Sequence, residues 1–297
     1  VYTMHPQPSY GDNNILSKLD TMLLPMKSPS WVIVTENKIK FGFDITKVMF
    51  CSGNCTERMR MGTPLKHCNN EIIYDLYCGI GYYSIPLLYY GQAKHVIAME
   101  WNPNSIAAFK CNLHAQNIAT NRVTIIEGDN RINIPQLKIS KRSDTTEFDC
   151  YKLTQESTDK GCYQHVSSET IHNLPYLPKA DRIMLGLLPS SKDGWPLCIK
   201  LLKSSGGIIH LHENVHENLL IKADPNKKNS DGEYIYFPTY ICTKFIQYFK
   251  THDELNAKNH PNSTIKPMNI IVNHVEIVKS YAPRVFHVVV DLYCSRE

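Results

Sequence analysis

Between Glu71 and His212 the chain alternates short apolar runs with helix-like stretches, and this alternation constrains its fold more than any other feature. Glu71-Ile72-Ile73-Tyr74-Asp75-Leu76-Tyr77 reads as a strand that ends in a glycine turn. Tyr83 to Tyr90 reads as a helix, with Pro86 early enough to lie in its first turn. His95–Glu100, Val123–Glu127, Arg182–Leu185 and Gly207–His212 read as further strands, and Ser105–Gln116 and Pro196–Leu202 as further helices. The strand runs are apolar almost throughout, not at alternate residues. That is the pattern of parallel strands covered on both faces. The end of the chain departs from it. Ile270–Val278 and Val285–Leu292 flank Lys279–Arg284 and predict a hairpin with a connection of six residues. The expected fold is a doubly wound α/β sheet of seven strands, the last antiparallel.

The first part of the chain lacks the alternation. Trp31 to Phe43 reads as two short strands around a turn at Glu36-Asn37. The expected organisation is a small N-terminal accessory domain over residues 1–68 and a catalytic domain over 69–297. Residues 139–178 are polar and little periodic and read as a surface insertion, and residues 224–232 as a second loop. The chain opens on Val1 without an initiator Met, which suggests a truncated N-terminus. Val1 to Pro6 has neither the basic start nor the apolar core of a signal peptide.

Composition narrows the class of partner. With 42% hydrophobic and 20% charged residues, the chain is neither disordered nor fibrous. No apolar run reaches the ~18 residues of a membrane span. Thirty-two Lys and Arg against 28 Asp and Glu give +4, which permits an anionic partner without requiring one. The ten cysteines are scattered with no C-x-x-C pair, as expected of reduced thiols in a cytosolic protein without a structural zinc site. His212-Glu213-Asn214-Val215-His216 matches a zinc-peptidase pattern. That pattern needs a helix to bring both imidazoles to one face, and His212 ends a predicted strand, so no metal is expected.

The strongest site signal is Asp75-Leu76-Tyr77-Cys78-Gly79-Ile80-Gly81. Glycines at a strand-to-helix turn let a ligand approach backbone N–H groups. The third glycine of a dinucleotide fingerprint would fall at Ser84, which favours a nucleoside without a pyrophosphate. Glu100 ends the second strand 21 residues after Gly79, where a carboxylate can accept from ribose hydroxyls. Asp129 and Asn130 follow the third strand. There the Asp side chain can accept from an adenine amino group, and the Asn backbone can donate to a ring nitrogen. Three polar strand ends on one sheet edge suggest a class I S-adenosylmethionine-dependent transferase.

Eight segments sharpen this reading: Phe43–Phe50, Gly53–Arg58, Asp75–Tyr82, Glu100–Pro103, Gly128–Arg131, Gly186–Ser191, Gly194–Pro196 and Lys279–Pro283. In that order they resemble the tRNA 3-amino-3-carboxypropyl transferases of wybutosine synthesis, which are related to the tRNA guanosine N-methyltransferases. The resemblance spans residues 31–297 apart from 139–178 and 224–232. It implies cofactor contacts at Cys51, Arg58, Glu100, Asp129 and Asn130, and Asp75 and Gly79 of the glycine turn are expected to bind the cofactor with them. Cys51 stands where a serine is expected, and Arg58 is placed to pair with the cofactor carboxylate. The implied reaction transfers the aminocarboxypropyl group of S-adenosylmethionine to carbon 7 of 4-demethylwyosine in tRNA-Phe and releases methylthioadenosine. No catalytic acid or base is identifiable. Two rivals stand beside this reading: a tRNA guanosine N-methyltransferase on the same fold, and a non-catalytic RNA-binding protein. Against the first, the turn Gly186-Leu187-Leu188-Pro189-Ser190 begins with a residue that has no side chain to orient a base nitrogen.

Overall fold

The computed structural model describes residues 21–62, 68–140, 163–220, 236–259 and 266–296. The chain forms two compact units, residues 1–138 with 145–178, and residues 139–144 with 179–297. This division falls elsewhere than the expected boundary at residue 68.

The first unit opens with a hairpin, β1 (Trp31–Glu36) against β2 (Ile39–Asp44), and a short helix α1 (Cys55–Gly62). Then come β3 (Ile72–Asp75), α2 (Ser84–Tyr89), β4 (His95–Glu100), α3 (Pro103–Ala115), β5 (Val123–Glu127), α4 (Asn130–Gln136) and β6 (Gln164–Val166). The strands from β3 on are parallel, in the order β6-β5-β4-β3. Their inner residues are fully buried: Ile73, Tyr74, Ile97, Met99, Ile125 and Ile126. Helix starts are chemically marked. Asn102 caps α3 by accepting from the Asn104 N–H at 2.9 Å, and Pro103 sits in the first turn, where its missing N–H is no loss. Asp129 caps α4 in the same way, through the Arg131 N–H at 2.8 Å.

The hairpin belongs with this unit because a buried side chain ties it there. Asn112 of α3 accepts from the Gly42 N–H at 2.7 Å and donates to the Ile80 carbonyl at 3.1 Å. One amide thus joins β2 to the glycine turn. This contact ties the accessory segment to the parallel strands of the same unit.

The second unit holds β7 (Arg182–Leu185), α5 (Leu197–Leu201), β8 (Gly206–His216), α6 (Phe237–Asn259), β9 (Asn269–Ala282) and β10 (Val285–Ser295). Its strand order is β7-β8-β10-β9, with β7 and β8 parallel and β10 antiparallel to both neighbours. The last strand is antiparallel as expected, but the hairpin differs. β9 runs on to Ala282, so the connection is Pro283-Arg284 and not six residues, with Pro283 at the first turn position and Arg284 left-handed (φ 61°) at the second, as in a type II turn.

Among the described residues, eight strands are present in the two units together, four in each besides the β1–β2 hairpin, against the seven expected. The additional strand is β6, inside the segment read as a polar surface insertion. Its surroundings are not polar, since Tyr163, Val166, Ile171, Leu174 and Leu177 are buried. Residues 141–162 of that insertion and the loop at 224–232 lie outside the described residues.

Replacing Asn112 with Ala strands one buried N–H and one buried carbonyl. At about 1–3 kcal/mol for each orphaned group, Asn112→Ala should lower the melting temperature by several degrees in calorimetry. A melting temperature within one degree of wild type would show that the hairpin is not held this way.

Candidate functional site

The site grows from the carboxyl ends of β3, β4 and β5, all in the first unit. Gly79 and Gly81 have φ of 55° and 93°, a region that side chains other than glycine's rarely adopt. A Cβ on Gly79 would also meet the Tyr82 ring at 2.6 Å, and one on Gly81 the Phe109 ring at 2.6 Å. The turn can therefore be built only with glycine at these two positions.

Glu100 holds the turn in place. Its Oε2 accepts from the Gly79 N–H at 2.9 Å, and its Oε1 accepts from the N–H groups of Trp101 and Asn102, both at 2.9 Å. Burial raises its pKa, although these three hydrogen bonds oppose the shift. A carboxylate has roughly four acceptor positions, so one remains for a ligand hydroxyl.

The third strand end joins the other two. The Gly128 N–H donates to the Glu100 carbonyl at 2.9 Å, and the Asn130 side-chain amide donates to the Leu76 carbonyl. The Asn130 Oδ1 is buried without a partner. Asn130 is the first residue of α4, so its backbone N–H has no carbonyl within the helix to bond. Asp129 is held differently. Arg131 reaches both its oxygens at 2.6–3.0 Å, and this pairing pulls the Asp129 carboxyl below its ordinary range. Asp75 lies beneath the turn, not on its open side. It is fully buried, with its oxygens taken by the Ser84 hydroxyl at 2.7 Å and the Tyr77 N–H at 3.3 Å. Burial pushes its pKa up to about 6.

The remaining expected contacts, Cys51 and Arg58, come from the segment after the hairpin. Tyr82 anchors it, donating its hydroxyl to the Met49 carbonyl. Cys51 gives its carbonyl to Arg58 Nη2 at 3.0 Å, and its thiol points to Asn54 Oδ1 at 3.6 Å. The Arg58 guanidinium lies 4.9 Å from the centre of the Phe50 ring and 5.9 Å from that of Tyr82. It is also gripped by Glu36, with Nε to Oε2 at 2.6 Å and Nη2 to Oε1 at 2.7 Å. Glu36, Phe50 and Asn112 were not singled out from sequence. Trp101, directly after Glu100, is 73% exposed, and a bare indole beside a nucleoside-type acceptor is a further candidate contact.

In the second unit, the turn after β7 is pinned to β8. The Ser191 hydroxyl donates to the His212 carbonyl at 3.1 Å, and the Asn214 N–H donates to the Pro189 carbonyl at 2.9 Å. Glu213 sits against Ser190 and Ser191, and burial pushes its pKa up to about 7. The 212–216 pattern lies wholly within β8, where residues four apart are about 13 Å from each other, too far to share a metal. Among the described residues, no cluster of three or more His, Cys, Asp or Glu is arranged to hold a metal ion. Every described cysteine is a free thiol.

The residues at the three strand ends fit an adenosyl ligand. Glu100 keeps an acceptor beside the turn, and Asn130 presents an N–H at a helix start.

The chain is similar to known proteins in sequence and in fold. Residues 32–144 match the TRM5/TYW2 methyltransferase domain. The chain is 34% identical to a tRNA wybutosine-synthesizing protein 2 homolog of Danio rerio, over 93% of this chain and 57% of that protein. To the Homo sapiens homolog it is 31% identical, over 89% of this chain and 54% of that protein. The chain therefore spans rather more than half the length of these relatives. Among solved structures, M. jannaschii TYW2 in complex with AdoMet is similar in fold, with a TM-score of 0.57 and 24% identity, over 91% of this chain and 88% of that one. P. horikoshii TYW2 in complex with MeSAdo gives a TM-score of 0.55 and 24% identity, over 91% and 73%.

Asp75 makes a pH prediction. In the folded chain it protonates near pH 6, and in the unfolded chain near its ordinary 3.8. A raised carboxyl pKa means that protonation favours the folded state. This contribution is complete below about pH 4 and is lost as pH rises through 6, and it amounts to at most about 3 kcal/mol. Asp75→Asn should remove that part of the fall in stability between pH 4 and 7. Parallel stability curves for variant and wild type would contradict the assignment.

Proposed function

We propose that the chain belongs to the tRNA wybutosine-synthesizing protein 2 family, to whose members it is similar over most of its length, and that it is an S-adenosylmethionine-dependent tRNA aminocarboxypropyltransferase. The group transferred is 3-amino-3-carboxypropyl, the acceptor is carbon 7 of 4-demethylwyosine in tRNA-Phe, and methylthioadenosine is released. The observation that carries the reading is the convergence of Gly79, Glu100 and Asn130 at three linked strand ends. That arrangement supplies an acceptor for a ribose hydroxyl and a donor for a ring nitrogen without any charge suited to a phosphate.

When bound, S-adenosylmethionine supplies an activated γ-carbon whose bond to sulfur breaks as the bond to the base forms. What the chain must add is chiefly alignment, since the sulfonium is already a good leaving group. In this reading Glu100 fixes the ribose, and Asp129 and Asn130 meet the adenine edge. Arg58 meets the carboxylate of the aminocarboxypropyl chain, and Cys51 borders it. The Gly186–Ser190 turn opens without a side chain and so offers no polar group at that position for a guanine ring nitrogen. The proton that leaves carbon 7 is not assigned to a residue.

The partner in this reading is tRNA, engaged through phosphates by a chain with a modest excess of positive charge. No described helix is long and apolar enough to cross a membrane. A cytoplasmic location without membrane attachment completes the proposal.

The cofactor part is tested by removing its main anchor. A hydrogen bond to a charged group is worth about 1.5–3 kcal/mol, so Glu100→Ala should weaken S-adenosylmethionine binding by about ten- to a hundredfold in calorimetry. Unchanged affinity would take Glu100, and with it the nucleoside site, out of the proposal.

A further inference from the structure

The guanidinium of Arg58 presents a problem that the proposed chemistry alone does not solve. A buried, flexible cation meant to meet a ligand carboxylate must be held still before the ligand arrives, and its charge must be offset meanwhile. Its side chain is 3% exposed, and that of Glu36 is 10% exposed. Glu36 is the last residue of β1, at the edge of the hairpin turn.

The donors of Arg58 can be counted. A guanidinium has five N–H groups. The Nε–H goes to Glu36 Oε2 at 2.6 Å, and Nη2 goes to Glu36 Oε1 at 2.7 Å and to the Cys51 carbonyl at 3.0 Å. Those three contacts use one side of the fork. The Phe50 and Tyr82 rings lie against it, their centres 4.9 and 5.9 Å from the guanidinium carbon. Both N–H groups of Nη1 remain without a partner among the described residues.

We propose that Glu36 is a positioning residue: it holds the Arg58 guanidinium side-on so that Nη1 alone faces the ligand and receives the cofactor carboxylate. The inference rests on the cofactor reading above and deepens it. The hairpin then has a role beyond packing. Its turn supplies the carboxylate that orients the cofactor's transferable end. Because Glu36 already occupies Nε and Nη2, the ligand carboxylate meets one nitrogen and not a two-pronged clamp. The grip suits a group that must leave with the tRNA.

Two ligands separate positioning from simple stability. S-adenosylmethionine carries the carboxylate, and methylthioadenosine has the same nucleoside without it. Calorimetry with wild type, Glu36→Gln and Glu36→Asp gives an affinity ratio for the two, and partial unfolding cancels from that ratio. Glu36→Gln keeps the shape and loses the charge. It should weaken S-adenosylmethionine about tenfold and leave methylthioadenosine within twofold of wild type. Glu36→Asp, charged but shorter, should fall between. In an Arg58→Ala background the Glu36→Gln change should no longer alter the ratio. Equal losses for both ligands, or no loss for either, would overturn the role while leaving the cofactor reading intact. Tighter S-adenosylmethionine binding by Glu36→Gln would also overturn it, making Glu36 a competitor for Arg58. Wild-type protein that bound neither ligand would remove the cofactor reading itself, and this inference with it.

Discussion

The carboxylate of Glu100 is the interaction on which the site depends. It accepts backbone N–H groups from the glycine turn and from the residues that follow β4, and its own carbonyl receives the Gly128 N–H after β5. Three loops that would otherwise move separately are bound to one residue. A carboxylate suits this role because it accepts several hydrogen bonds at once and a charged acceptor strengthens each of them. Burial raises its pKa, and the same N–H groups counter that rise and favour the ionised form. The acceptor position left over is then fixed in direction before any ligand arrives.

A second layer of buried polar contacts joins the hairpin to this frame. Asn112 bridges β2 and the glycine turn, Tyr82 reaches back to the Met49 carbonyl, and Arg58 is sandwiched between aromatic rings and Glu36. Each is a specific bond between elements distant in sequence, where apolar packing alone would allow sliding. The arrangement explains how a two-stranded accessory piece can be rigid enough to serve a binding site.

Much of the fold was legible because its strands are buried on both faces. Ile72-Ile73-Tyr74 and Val123-Thr124-Ile125-Ile126 leave little choice of structure. Gly79, Glu100 and Asn130 were legible for a related reason: strand register fixes where a strand ends, and hence which residues meet at the edge. Other features were hidden by physics, not by inattention to motifs. β6 is a strand of three residues, too short to show a period. The long helix α6 buries Phe237, Ile241, Phe245 and Phe249, a stripe one residue wide on an otherwise polar surface. Asp75 reads as a site residue because it stands beside the glycines, and only tertiary burial shows that it supports the turn from below. The Glu36–Arg58 pair is set by how a hairpin docks, across 22 residues of sequence, and no local pattern announces it.

In the proposed reaction the base attacks the aminocarboxypropyl carbon of S-adenosylmethionine and not its methyl group. The two outcomes leave different nucleosides behind. Wild-type protein incubated with S-adenosylmethionine and precursor-bearing tRNA-Phe, followed by chromatography of the spent reaction, reads the answer directly. Methylthioadenosine is the expected main by-product, in step with a tRNA that gains an aminocarboxypropyl group. S-adenosylhomocysteine as the main by-product, together with a methylated tRNA, would contradict it.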